Sequence, residues 1–157
     1  MAYNFFVHSD LVFGKDAAAA LSGILENENI KNVMVIYDGG VKAAGIAEKV
    51  LAEVNKVDGI KVTTFDEVEP NPSNQLVERI YAIAKEAGVE GFVAVGGGSS
   101  IDAAKAANVL MTNPGPIGQY GGIGLVKNKP LPLIAIPTTA GTSSEITNVS
   151  ALTDTEA

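Results

Sequence analysis

The chain has no cysteine, no tryptophan and only one histidine among its 157 residues. Without cysteine there is no disulfide, no thiolate nucleophile and no zinc site built on sulfur. His8 alone cannot build a metal site in which thiolates are missing, and it reads as a strand residue with no chemical role. Basic residues are scarce as well: eleven Lys and Arg face eighteen Asp and Glu, a net charge of −7 with no cationic run. That balance argues against nucleic acid as a partner. No apolar stretch approaches the ~20 residues a membrane helix needs, and residues 1–14 lack the basic and apolar regions of a signal peptide. The expectation is a cytoplasmic protein that engages neither membrane nor nucleic acid.

What is present suits a single globular domain, with 46% hydrophobic and 18% charged residues. A domain of this length buries roughly 68–70% of the surface its unfolded chain exposes, so it needs no covalent or metal staple. Short β-branched runs alternate with segments of helical period. After an extended opening from Tyr3 to Phe13, Asp16 is placed to cap an Ala-rich helix ending near Asn29, and Val33 to Tyr37 reads as a buried strand. Asp38-Gly39-Gly40 then reads as a turn. A helix with Ala47, Val50, Leu51 and Val54 on one face stops before Gly59, and a strand follows from Ile60 to Phe65. Beyond Pro70-Asn71-Pro72, a helix lined by Leu76, Ile80, Ile83, Ala84 and Ala87 is closed by Gly88. A strand over Gly91 to Val95 leads into Gly96-Gly97-Gly98-Ser99 and a helix to about Met111. After a Gly- and Pro-rich loop (Asn113 to Gly124), Leu131 to Ile136 reads as a fourth strand. Such alternation builds an α/β fold, a mostly parallel sheet with helices on both faces and ligands at the carboxyl ends of its strands.

Three turns fall at those ends: Asp38 to Gly40, Gly96 to Asp102, and Thr138 to Glu145. Glycines where a strand becomes a helix let backbone N–H groups approach an anion that the helix N-terminus already attracts. The same residues also suit a tight turn capped by Ser99, with Asp102 completing a capping-box-like pair; both roles are open together. No third glycine of the common dinucleotide fingerprint follows, and no Gly-Lys-Ser/Thr of a Walker loop. Asp38 ends a strand, where a carboxylate accepts hydrogen bonds from a ribose diol and repels a 2′-phosphate. It precedes the glycine loop, however, whereas the usual ribose acid follows it. Thr142 and Glu145 have the spacing of a capping box, which leaves Thr138, Thr139 and Ser143 surplus to capping. Asn71 is placed either to cap the helix begun by Pro72 or to contact a ligand from the sheet edge, and Lys105 reads as a solvated helix residue.

Gly96-Gly97-Gly98-Ser99-Ser100-Ile101-Asp102, followed by Pro137-Thr138-Thr139-Ala140-Gly141-Thr142-Ser143-Ser144-Glu145, resembles the iron-containing (group III) alcohol dehydrogenase family. Asp38, Glu69-Pro70-Asn71-Pro72 and Thr147 to Asp154 extend the resemblance over essentially the whole chain. It implies that residues 1–157 are a Rossmann-like, three-layer dinucleotide-binding domain. Gly97, Gly98 and Ser99 would then lie on the pyrophosphate, Asp38 on the adenosine ribose, and Thr138, Thr139 and Thr142 along the cofactor cleft. Asn71 and Asp102 match family positions near the cofactor. An acid at position 38 resembles the members that prefer NAD over NADP. The resemblance further implies a small alcohol or aldehyde as substrate, a tendency to homo-oligomers, and Fe²⁺ held by an Asp and three His of a helical domain not found in these residues. The chain is therefore expected to be a truncated cofactor domain, inactive alone, whose Ile146 to Leu152 forms a strand with an unpaired edge. Glycerol dehydrogenase and dehydroquinate synthase share the glycine turn, and a nucleotide-binding module without catalysis is a reading of another class.

Overall fold

The computed structural model describes residues 9–154. His8 and most of the expected opening strand lie outside them, and residues 9–13 form no strand. In chain order the elements are α1 (Leu21–Asn27), β1 (Asn32–Asp38), α2 (Gly39–Ala43), α3 (Ile46–Val54), β2 (Lys61–Val68), α4 (Asn74–Ala87), β3 (Gly91–Gly96), α5 (Gly98–Thr112) and β4 (Leu133–Pro137). Short 3₁₀ turns cover Ala17–Ala20 and Ile117–Tyr120.

Among the described residues all strand pairs are parallel, in the order β2-β1-β3-β4. The side-chain period of two sorts each central strand between two cores. Met34, Ile36, Phe92 and Ala94 face α4 and α5, whereas Val33, Val35, Val93 and Val95 face α1 and α3. Burial on both faces is why these strands read as unbroken apolar runs. The sequence expectation of a Rossmann-like α/β sheet with helices on both faces holds. Among the described residues no helix is long and apolar enough to cross a membrane.

Several expected local signals resolve differently. Asp16 has φ 59° and makes no side-chain cap bond; an N-cap needs extended backbone, so the first helix opens instead through the 3₁₀ turn. Asp38-Gly39-Gly40 is the capped start of α2 rather than a turn, with Asp38 accepting from the Val41 N–H. Ser73, not Asn71, caps α4, because Asn71 sits at φ 52° while Ser73 is extended and accepts from the Leu76 N–H at 3.2 Å. β4 starts at Leu133 because both backbone polar groups of Leu131 are held by the buried Asn108 side chain, at 3.0 and 2.8 Å.

Thr142 and Glu145 start no helix: Ser143 has φ 58°, and Thr142 Oγ1 accepts from the Ser144 N–H instead. Nor is residues 146–152 a strand. The nearest sheet-like contact follows it, a parallel bridge between Ser73 and Thr153.

Candidate functional site

β1 connects outward to β2, whereas β3 connects the other way to β4, so the carboxyl ends of β1 and β3 flank the point where strand order reverses. Ligand crevices of open α/β sheets form at that point. A cleft of about 600 Å³ opens there. Asp38, Gly39 and Gly40 line one side, Gly97, Gly98 and Ser99 the other, with Val68 to Pro70 and Thr138 to Thr139 between them. Of the nine candidate residues, six meet at this cleft: Asp38, Gly97, Gly98, Ser99, Thr138 and Thr139.

The glycine wall is shaped by what its missing side chains avoid. Gly96 has φ 147°, and a Cβ there would stand 2.5 Å from Ser100 Oγ and 3.1 Å from Asp38 Oδ2. Across the cleft, a Cβ on Gly97 would approach Thr139 Oγ1 to 3.2 Å. On Gly98 it would meet Ser144 Oγ at 3.2 Å and Thr142 Cβ at 3.5 Å. Thr142 therefore backs the glycine turn rather than lining the cleft.

Gly97 itself is the extended N-cap of the 15-residue helix α5, and no side chain caps it. The expected capping pair does not form: Ser99 Oγ accepts from the Asn71 N–H at 3.3 Å, and Asp102 turns elsewhere. The first N–H groups of α5 thus point at the cleft carrying the positive end of the helix dipole. No lysine or arginine lines the cleft, which carries Asp38 and Glu69. Any attraction for an anion comes from backbone N–H groups and from the hydroxyls of Ser99, Thr138 and Thr139. Nearby, Lys42 is bonded to Asp66 on the surface; that bond and its charge raise the Lys42 pKa, and it lowers the Asp66 pKa.

Asn71 and Asp102 support the site from behind. Asn71 ties Ser99 to the loop before α4, and its carbonyl accepts from Thr153 Oγ1 at 3.2 Å. Asp102 Oδ2 accepts from the Ala151 N–H at 3.0 Å, while Oδ1 lies 3.2 Å from Lys105 Nζ.

Lys105, expected in solvent, is the residue that sequence reading missed. Its side chain is 16% exposed, and its ammonium bonds the carbonyls of Ser144 and Thr147, at 2.9 and 3.1 Å, and that of Val149. The ammonium thus ties residues 144–149 to α5. The spacing of Asp102 and Lys105, three apart on one helix, was the only signal for this pair. Lys105→Met should lower stability in urea unfolding by about 3–5 kcal/mol, because the Asp102 carboxylate is left largely buried without its cation. Amide exchange at Ala151 should accelerate at the same time. An unchanged unfolding midpoint would show that the ammonium does not hold this segment.

A parallel sheet with a glycine-rich helix start at its crevice is the Rossmann-like class of α/β fold. The family model of iron-containing alcohol dehydrogenases matches residues 9–157, and the chain belongs to that family. It is 40% identical over 151 residues to a 4-hydroxybutyrate dehydrogenase of Cupriavidus necator, covering 93% of this chain and 38% of that protein. A crystal structure of 1,3-propanediol oxidoreductase superposes with a TM-score of 0.92 at 33% identity, over 99% of this chain and 41% of the other. Sulfoacetaldehyde reductase from Bifidobacterium kashiwanohense in complex with NAD⁺ superposes at 0.84 with 34% identity, over 98% and 40%. The chain thus spans about two fifths of the length of these relatives.

Proposed function

We propose that residues 1–157 form the coenzyme-binding domain of an NAD-dependent alcohol dehydrogenase that interconverts a small primary alcohol or diol and its aldehyde. The observation that carries this reading is the uncapped start of α5 at Gly97 and Gly98, facing Asp38 across the cleft. N–H groups of Gly98 and Ser99 bind the diphosphate. Asp38 accepts from the adenosine ribose and meets a 2′-phosphate with like charge. Thr138 and Thr139 place hydroxyls along the path of the dinucleotide, and Thr142 holds Gly98 from behind. The NAD⁺ complex of the sulfoacetaldehyde reductase supports the choice of coenzyme. Bound NAD⁺ supplies the hydride acceptor; the residues here bind it, orient it and select it.

Iron is a different matter. With one histidine and no cysteine in the sequence, and no group of three or more potential ligands among the described residues, this chain does not fit a metal site. Because alkoxide stabilisation is then not provided by these residues, the 157-residue chain should bind coenzyme without turning over alcohol. Calorimetric titration should show NAD⁺ binding at least about tenfold tighter than NADP⁺, a difference of about 1.4 kcal/mol. Equal affinities would remove the selective role of Asp38. Sustained NADH formation from an alcohol with Fe²⁺ added would refute the inactivity of the isolated chain.

A further inference from the structure

We propose that Ser100 is a positioning residue for coenzyme selectivity: its buried hydroxyl holds the Asp38 carboxylate in the orientation that meets the adenosine 2′-hydroxyl. The proposal rests on the reading of Asp38 as the ribose acid. Ser100 is fully buried in the first turn of α5, and its Oγ donates to Asp38 Oδ2 at 3.1 Å. The other carboxylate oxygen, Oδ1, accepts from the Val41 N–H at 2.9 Å. One donor on each oxygen, from two different helices, fixes the plane of the carboxylate, since rotation about Cβ–Cγ would break both bonds. An ionised carboxylate offers about four lone-pair sites, so acceptor capacity remains for a ligand hydroxyl at the cleft.

Gly96 belongs to the same device. Only a residue without Cβ leaves the space, 2.5 Å from Ser100 Oγ, in which hydroxyl and carboxylate meet. Of the other buried residues of α5, Asp102 and Asn108 are polar and each is held by its own backbone partner, while Ala103, Ala104, Ala106 and Ala107 pack against the sheet. An alanine at position 100 would pack as well and favour the helix more. A hydroxyl placed there answers to Asp38.

The test is a titration of NAD⁺, NADP⁺ and an NAD⁺ analogue lacking the adenosine 2′-hydroxyl into wild type, Ser100→Ala, Asp38→Ala and the double variant, each confirmed folded by thermal melting. Ser100→Ala should weaken NAD⁺ binding about fivefold, the effect of one such hydrogen bond. The preference over NADP⁺ should fall by a similar factor, and binding of the 2′-deoxy analogue should be unchanged. Once Asp38 is alanine, replacing Ser100 should have no further effect. An equal loss for NAD⁺ and its deoxy analogue, or a Ser100 effect that persists without Asp38, would overturn the proposal. So would wild-type NAD⁺ affinity and selectivity in Ser100→Ala. Should Asp38→Ala itself leave the NAD⁺ to NADP⁺ preference untouched, the ribose reading fails first and is identified as the cause.

Discussion

Gly97→Val should weaken NAD⁺ binding about 100-fold while leaving the fold intact. Gly97 has φ −81° and ψ −166°, extended backbone that valine adopts without strain. Its Cβ would enter the space between the glycine turn and Thr139, 3.2 Å from Thr139 Oγ1. Two further methyl groups would then stand where a diphosphate must lie to reach the N–H groups of Gly98 and Ser99. Forfeiting two hydrogen bonds to a charged group, at the low end of about 1.5 kcal/mol each, corresponds to a loss of about two orders of magnitude. The melting temperature should stay close to that of the wild type. A valine variant that titrates with NAD⁺ like the wild type would place the coenzyme elsewhere.

Gly96→Ala should act in the opposite way, through stability first. At φ 147° an alanine is strained, at a cost of about 1–3 kcal/mol. Its Cβ would also overlap the Ser100 side chain, 2.5 Å from Oγ and 2.8 Å from Cβ. Ser100 is fully buried at the start of α5, so relief requires moving backbone, for about 1–3 kcal/mol more. Chemical denaturation should therefore show a loss of about 2–6 kcal/mol, a large fraction of the stability of a typical domain. Wild-type stability in Gly96→Ala would mean that the contact with Ser100 is loose and that the β3–α5 junction yields easily.

The strands and long helices could be read from the sequence because their causes are local. Val33 to Tyr37 and Gly91 to Val95 are apolar throughout, since both faces of a parallel sheet are covered. Gly88 closes α4 in the left-handed conformation that glycine adopts most readily. Caps were harder, because several side chains of the right type stand near each helix start and backbone conformation chooses among them. Ser73 was chosen over Asn71, and Gly97 over Ser99. Thr142 and Glu145 have the spacing of a capping box, yet Ser143 at φ 58° prevents the helix that would use it.

Six of the nine candidate residues lie together at the cleft because strand ends converge there whatever the loops do. Asn71 and Asp102 are recruited behind it by partners that no short pattern contains, whereas Thr142 accepts from the Ser144 N–H of its own string. Lys105 reaches carbonyls 39 to 44 residues away, and Asp102 an N–H 49 residues away.

By itself the sequence determined the parallel α/β architecture, the glycine turn at its crevice and the family. Each of these rests on periodicity or on a contiguous string of residues. The tertiary structure decided which polar groups face the ligand and which hold the frame. Asp38 and Ser100 are 62 residues apart, and nothing in either neighbourhood marks them as partners. They meet because β1 and β3 pair in one register and carry both residues to the same edge of the sheet. A buried polar group must find its hydrogen bond wherever the packed chain brings one within reach, and that choice is made by the fold as a whole.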